Sequence, residues 1–376
     1  MGTHLVLGTA TIYAPGIVTQ FAQQDAWLAV LLAGMFLAAG GTLLPLLTLA
    51  APGKGLLRAL EERTTWLARP VALVYGLFLL HLEALVTDEV STLWQQATMA
   101  QTPATFFIVT VGLLAAGAAR AGLETISRVA TLVAATLIVL TPLMVILGLN
   151  MIHFDEFRPV LATGWEPVLA ASQPATGFFN EVLLLALIWG NMGDVRAASR
   201  NRGQRFWQAY RNVLLIVLTT TLISLVVTGV VIAAFGPREV TRMLIPTLEY
   251  LRVIRLGEFL QRLESGTLFF WTWSIFVKAA ILHFLACEAW AVTFGLRDAK
   301  VVSLTLLGPL VFLALSLTRD PVHFQNYIMV WGFVSFPFEV LLLAVSLFFI
   351  WLLQGRVRPP ESRPAPSDHP RKVARP

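Results

Sequence analysis

One cysteine stands in the whole chain, Cys287, which rules out an intramolecular disulfide framework and a thiolate metal site. Charge is nearly as scarce. Asp, Glu, Lys and Arg make up 13% of the 376 residues, where a soluble domain carries roughly 25%. That is too little polar surface to cover a fold in water. The six histidines show no H-E-x-x-H or similar ligand spacing, so no metal and no cofactor is expected. The carboxylates are spread over different segments, with no nucleophile–base pair and no phosphate loop, so the chain does not read as an enzyme. A basic n-region is missing from the first 25 residues, so no cleaved signal peptide is expected.

What the chain does hold is apolar. Hydrophobic residues make up 57% and the mean hydropathy is +0.73, so the solvent of this protein is lipid. The fold class expected is all-α, with ten transmembrane helices of roughly 20 residues each. The apolar segments run at 4–22, 26–50, 68–90, 103–121, 126–148, 174–193, 211–235, 267–290, 301–317 and 329–354. They form one membrane domain, 1–355, followed by a basic, proline-rich tail, 356–376, expected to be disordered and cytoplasmic. With both termini in the cytoplasm, 19 of the 27 Lys and Arg residues fall on the inner side and seven on the outer. That asymmetry follows the positive-inside rule. It also accounts for a pI near 9.7 without any nucleic-acid partner.

Five of the seven outer basic residues lie in "GPREVTRMLIPTLEYLRVIRLGEFLQRLES", together with Glu239, Glu249, Glu258 and Glu264. Leu and Ile at helical spacing predict one or two amphipathic helices on the outer surface. A solvated loop with internal salt bridges fits the same residues.

Four places break the lipid pattern. Span one reads "LVLGTATIYAPG", with Gly8, Thr9, Thr11, Pro15 and Gly16 close together, which predicts a broken helix. Span six opens "QPATGFFNE" and places Glu181 in the otherwise apolar "TGFFNEVLLLALIWGN". Interruptions at matching positions of two five-span halves point to a transporter-type binding site, although each alone reads equally as a kink. Span eight carries Lys278 near its middle, then His283 and Glu288; span three carries Tyr75, His81 and Glu83. Ionisable groups at membrane depth are functional candidates by default. Three roles fit Glu181: contact with a ligand ammonium, a proton site, or an ion pair with Lys278. Interior hydrogen bonding is the simpler role for His81 and His283, and core packing for Cys287.

Five motifs in order then carry a resemblance: "FAQQDAWLAVLLAG", "PVLATGWEPVLAAS", "FFNEV", "IPTLEYLRVIRLGEFLQRLES" and "FVKAAI". Together they resemble the endospore germination permeases, the B subunits of nutrient germinant receptors. The resemblance spans nearly the whole chain. It implies membership of the amino acid–polyamine–organocation superfamily, with ten spans in a 5+5 inverted repeat and breaks in helices 1 and 6. It also implies a multi-pass protein of the bacterial cell membrane or spore inner membrane, working with an A subunit and a lipoprotein C subunit. Its ligand would be a small-molecule nutrient, an amino acid being expected. By motif register the pocket residues would be Gly8, Thr9, Ala10, Tyr75, Leu79, Phe178, Phe179, Asn180, Glu181, Lys278 and Leu282. Family chains usually start further upstream of the first break, so a missing half-helix or a different start is expected here. Leu282 is aliphatic where some members place an aromatic ring, so ligand identity does not carry over.

The function these observations favour is nutrient sensing by a germinant receptor subunit. The alternative is a proton-coupled secondary transporter of an amino acid or organic cation. A third reading is a scaffold or ion-conducting subunit with a vestigial pocket.

Overall fold

A computed structural model describes residues 1–191, 201–254, 263–317 and 326–353, with residues 263–265 as backbone only. The tail from 356, the basic residues Arg196, Arg200, Arg255, Arg262 and Arg319, Glu258 and the Glu264 side chain lie outside the described set. Every regular element among the described residues is helical. They are α1 Gly2–Ala22, α2 Ala26–Gly40, α3 Leu43–Ala50, α4 Leu56–Glu61, α5 Thr65–Ala97, α6 Ala104–Ala121, α7 Leu123–Leu147 and α8 Glu166–Asn180. After them come α9 Arg202–Phe235, α10 Pro246–Val253, α11 Leu263–Phe294, α12 Leu307–Leu317, α13 Trp331–Phe336 and α14 Leu342–Leu352.

Among the described residues, eight stretches are long and apolar enough to cross a membrane. Expected spans one and two fall within one of them, Gly2–Ala50. Expected span six is not among the eight, because its helix changes character part-way along. The chain is turned inside out relative to a soluble protein. Leu132, Val139, Leu218, Phe312 and Phe333 face outward, each more than half exposed, while Glu83, Glu89, Glu181, Lys278 and Glu339 are buried. That is the distribution lipid demands.

At the centre stands α1, buried along almost its whole length and packed on α8, α9 and α11. The expected break in span one is not there: Gly2–Ala22 is one uninterrupted α-helix. Pro15 lacks the N–H that would bond Thr11 O, but the Thr247 hydroxyl of α10 donates to that carbonyl at 2.9 Å. A freed carbonyl re-bonded by a neighbour is the condition under which proline is tolerated at membrane depth. Gly8 and Gly16 serve close contact and not unwinding. A Cβ on Gly8 would lie 3.2 Å from Lys278 Cδ, and one on Gly16 would lie 3.2 Å from Pro246 Cγ.

The outer segment forms a helix that docks on the bundle. In α10, Pro246, Thr247, Leu248, Tyr250 and Leu251 are buried, and the Tyr250 hydroxyl donates to Met144 O at 3.2 Å. Both outer-surface expectations find partial expression, because Glu249 pairs with Arg252 at 2.6 Å and Glu239 with Arg242 at 2.9 Å.

A double-mutant cycle tests the proline account. Thr247→Val should destabilise the purified protein by about 1–3 kcal/mol, the range for leaving a buried acceptor unpaired. In a Pro15→Ala background the loss should shrink, since residue 15 then supplies its own N–H. Thermal unfolding in detergent reads both; equal losses in the two backgrounds would remove Thr247 from this role.

Candidate functional site

The sixth span changes geometry at its one carboxylate. Residues Glu166–Asn180 are α-helical, Glu181–Leu187 are 3₁₀, and a further 3₁₀ turn covers Trp189–Asn191. Leu-rich sequence such as "VLLLAL" favours the α form by propensity, so tertiary contacts impose the narrower helix. Runs of 3₁₀ beyond three or four residues are uncommon and often mark a hinge. Just before the transition, α8 and α13 touch backbone to backbone. A Cβ on Gly177 would lie 2.7 Å from Gly332 Cα and 3.0 Å from Trp331 Cδ1. That contact seats Trp331 over Glu181.

Lys278 of α11 reaches the same point. Its ammonium pairs with Glu181 Oε2 at 2.7 Å, with both side chains no more than 1% exposed. The angles are those of an ionic contact, and the aligned hydrogen bond goes to the Thr9 hydroxyl of α1 at 2.7 Å. The Thr9 hydroxyl in turn donates a hydrogen bond to Glu89 Oε2 of α5 at 2.8 Å. One chain therefore runs Glu181–Lys278–Thr9–Glu89 across the span-six segment, α11, α1 and α5. It closes one side of a small cavity of about 20 Å³. Phe178, Leu82, Leu85, Val86, Ile328 and Trp331 complete the lining. Ligand pockets occupy roughly 300–1,000 Å³, so in this form the cavity has room for about one water molecule, and a nutrient would have to part its walls. Larger openings of about 420 and 360 Å³ are apolar grooves lined by outward-facing side chains such as Phe348, Trp351, Leu113 and Leu114. Neither has a buried ionisable group.

Of the residues expected from motif register, Thr9, Phe178, Glu181 and Lys278 come together on this cavity. Gly8 packs against the Lys278 side chain. Ala10, Leu79, Phe179 and Leu282 are buried in the surrounding core and do not line it. Tyr75 is also buried and off the cavity. Asn180 is buried with Oδ1 lacking a hydrogen-bond partner among the described residues.

Glu89 and Trp331 join the lining without having been singled out from sequence. Glu89 sits at the expected end of span three, where a charge looks like an interfacial residue. The helix in fact continues to Ala97, which draws Glu89 into the interior. The two histidines hold hydrogen bonds away from the cavity. His81 Nε2 meets the Tyr327 hydroxyl at 2.6 Å; His283 Nδ1 meets Glu83 Oε1 at 2.8 Å and its Nε2 meets Ser303 O at 3.0 Å. No group of three or more potential metal ligands occurs among the described residues.

The chain has relatives among known proteins. Spore germination protein KB of Bacillus subtilis (strain 168) is 24% identical over 266 residues, 69% of this chain and 67% of its own length. YndE of the same organism, also a spore germination protein, is 22% identical over 290 residues, 75% of this chain and 76% of its own. Spore germination protein XB of Bacillus anthracis is 21% identical over 237 residues, 60% of this chain; the match spans only 62% of that relative. Among solved structures, the nucleobase-cation-symport-1 transporter Mhp1, closed around bromovinylhydantoin, superposes with a TM-score of 0.67 at 14% identity, covering 94% of this chain and 90% of its own. A manganese transporter of Eremococcus coleocola does so at 0.60 and 13%, covering 94% and 84%. At those identities the likeness is one of fold. The family model described as spore germination protein matches residues 2–323, and the chain belongs to that family of permease-type, multi-pass membrane proteins.

Proposed function

We propose that this chain is the nutrient-binding membrane subunit of a spore germinant receptor and that its pocket recognises the ammonium group of a small nutrient, an amino acid by preference. The observation that carries the reading is the chain Glu181–Lys278–Thr9–Glu89 lining a small cavity. Two carboxyl groups share one ammonium there, and an incoming ammonium would satisfy the second. Phe178 and Trp331 would cover the ligand's apolar part, and the remaining motif-register residues, Ala10, Tyr75, Leu79, Phe179, Asn180 and Leu282, would back the pocket. On this reading the chain is ten spans in two inverted halves of five, residues 1–355, with a cytoplasmic tail. Its partners would be the receptor's A and C subunits.

Because Glu181 begins the 3₁₀ segment, a ligand that engages it bears directly on how span six is wound. Ligand binding would then shift the population of that segment, and partner subunits would read the shift. Spores whose receptor carries Glu181→Gln, with normal assembly on immunoblot, should need at least about tenfold more nutrient for half-maximal germination, the consequence of losing one charge-assisted contact. Unchanged sensitivity would remove Glu181 from recognition.

The transporter fold shared with Mhp1 favours a second reading, a secondary transporter of an amino acid or organic cation. Saturable uptake of a labelled amino acid into proteoliposomes, driven by a pH gradient, would support it over the sensor.

A further inference from the structure

Another buried carboxyl group lies about one helical turn further along the same seam, within electrostatic reach of Glu181 and Lys278 but bonded to neither. Glu339 is 1% exposed, and neither of its oxygens has a hydrogen-bond partner among the described residues. It sits in a π-helical turn, Pro337–Leu341, between α13 and α14. The order of packing shows that spans six and ten run parallel here: α8 lies on α13, and the 3₁₀ segment Glu181–Leu187 lies on the π turn. With Gly177 against Gly332, the next turns bring Asn180 level with Ser335, and Glu339 follows on the same side. Asn180 Oδ1 and Ser335 Oγ are also buried and also unpartnered among the described residues.

The seam therefore gathers four side-chain oxygens, from one carboxyl, one amide and one hydroxyl, with the Ser335 hydroxyl the donor close to Glu339. Backbone reinforces the pattern. On one side the helix is 3₁₀ and on the other π, and departures from the i→i−4 ladder are where carbonyls become free to bind ions in transporter-type folds. An unpaired carboxyl group in an apolar interior must be neutralised, by a proton or by a bound cation, and unpartnered oxygens gathered around it favour the cation. The neighbouring cation, Lys278, is already engaged by Glu181 and Thr9. A single carboxylate among neutral oxygens suits a cation of one charge; divalent ions take six or more ligands and more carboxylates.

We infer that Glu339, Ser335 and Asn180 form a binding site for a monovalent alkali cation in the seam between the sixth and tenth spans. The site needs no nutrient, so it stands or falls separately from the ammonium pocket. Occupancy would tie the π turn of span ten to the end of α8 and so hold the 3₁₀ segment in place.

Thermal unfolding of the full chain in detergent tests this, at one ionic strength and one pH, in sodium, potassium or N-methylglucamine chloride. A cation bound only by the folded state raises the melting temperature saturably with its concentration. Sodium or potassium should do so and N-methylglucamine should not, and Glu339→Gln should abolish the difference. Ser335→Ala and Asn180→Ala should each raise the half-saturating concentration severalfold; these two decide the matter if E339Q does not fold. Identical melting in all three salts would overturn the inference, as would a cation effect that survives in the variants. Stabilisation by magnesium or manganese chloride alone would overturn it too.

Discussion

Lys278→Met is expected to destabilise the folded protein by about 3–5 kcal/mol, the range for leaving one member of a buried pair without its partner. The loss should be that large because Lys278 serves two acidic groups, Glu181 directly at 2.7 Å and Glu89 through Thr9. Methionine keeps length and apolar contact with Gly8 but brings no charge. The double variant Lys278→Met, Glu181→Gln should recover much of the loss, since a neutral amide replaces the stranded carboxylate. The pattern to look for in thermal unfolding is a low-melting single variant and a higher-melting double. If K278M alone melts with the wild type, the ion pair does not organise this interior.

The second large effect falls on recognition. Glu89→Gln and Glu181→Gln should each weaken binding of an amine ligand by about tenfold to one hundredfold, as expected for hydrogen bonds to a charged group worth about 1.5–3 kcal/mol. The two changes should not simply add, because both carboxyl groups are coupled through Lys278 and Thr9. A titration of the two single variants and the double against wild type measures that coupling. Additive losses would mean that the two carboxyl groups act on the ligand independently, contrary to the connected chain described here.

Sequence pattern located the membrane segments well, because lipid forces every span into a near-continuous apolar run. It also located Glu181 and Lys278, since a charge inside such a run has nowhere to go but the interior. It misjudged span one. Gly8, Pro15 and Gly16 read as helix breakers, yet the two glycines serve close contact, and Thr247 of a distant helix bonds the carbonyl that Pro15 releases. No local pattern reports a partner 236 residues away. Glu89 was hidden because the Asp88–Glu89 pair looks like a span end, while α5 in fact runs 33 residues to Ala97. Glu339 carried the same signal as Glu181, a lone carboxylate in the apolar run 329–354, and could have been found by it. The 3₁₀ and π segments have no sequence signature here; packing at Gly177 and Gly332 imposes the setting in which they occur.

The central claim is that the pocket recognises an ammonium group. Calorimetric titration of the purified chain with a panel of amino acids, each paired with its N-acetylated form, tests it most directly. The account predicts saturable binding of at least one free amino acid, loss of that binding on acetylation, and marked weakening in Glu181→Gln. Equal binding of free and acetylated forms, or a ligand held undiminished by E181Q, would contradict it.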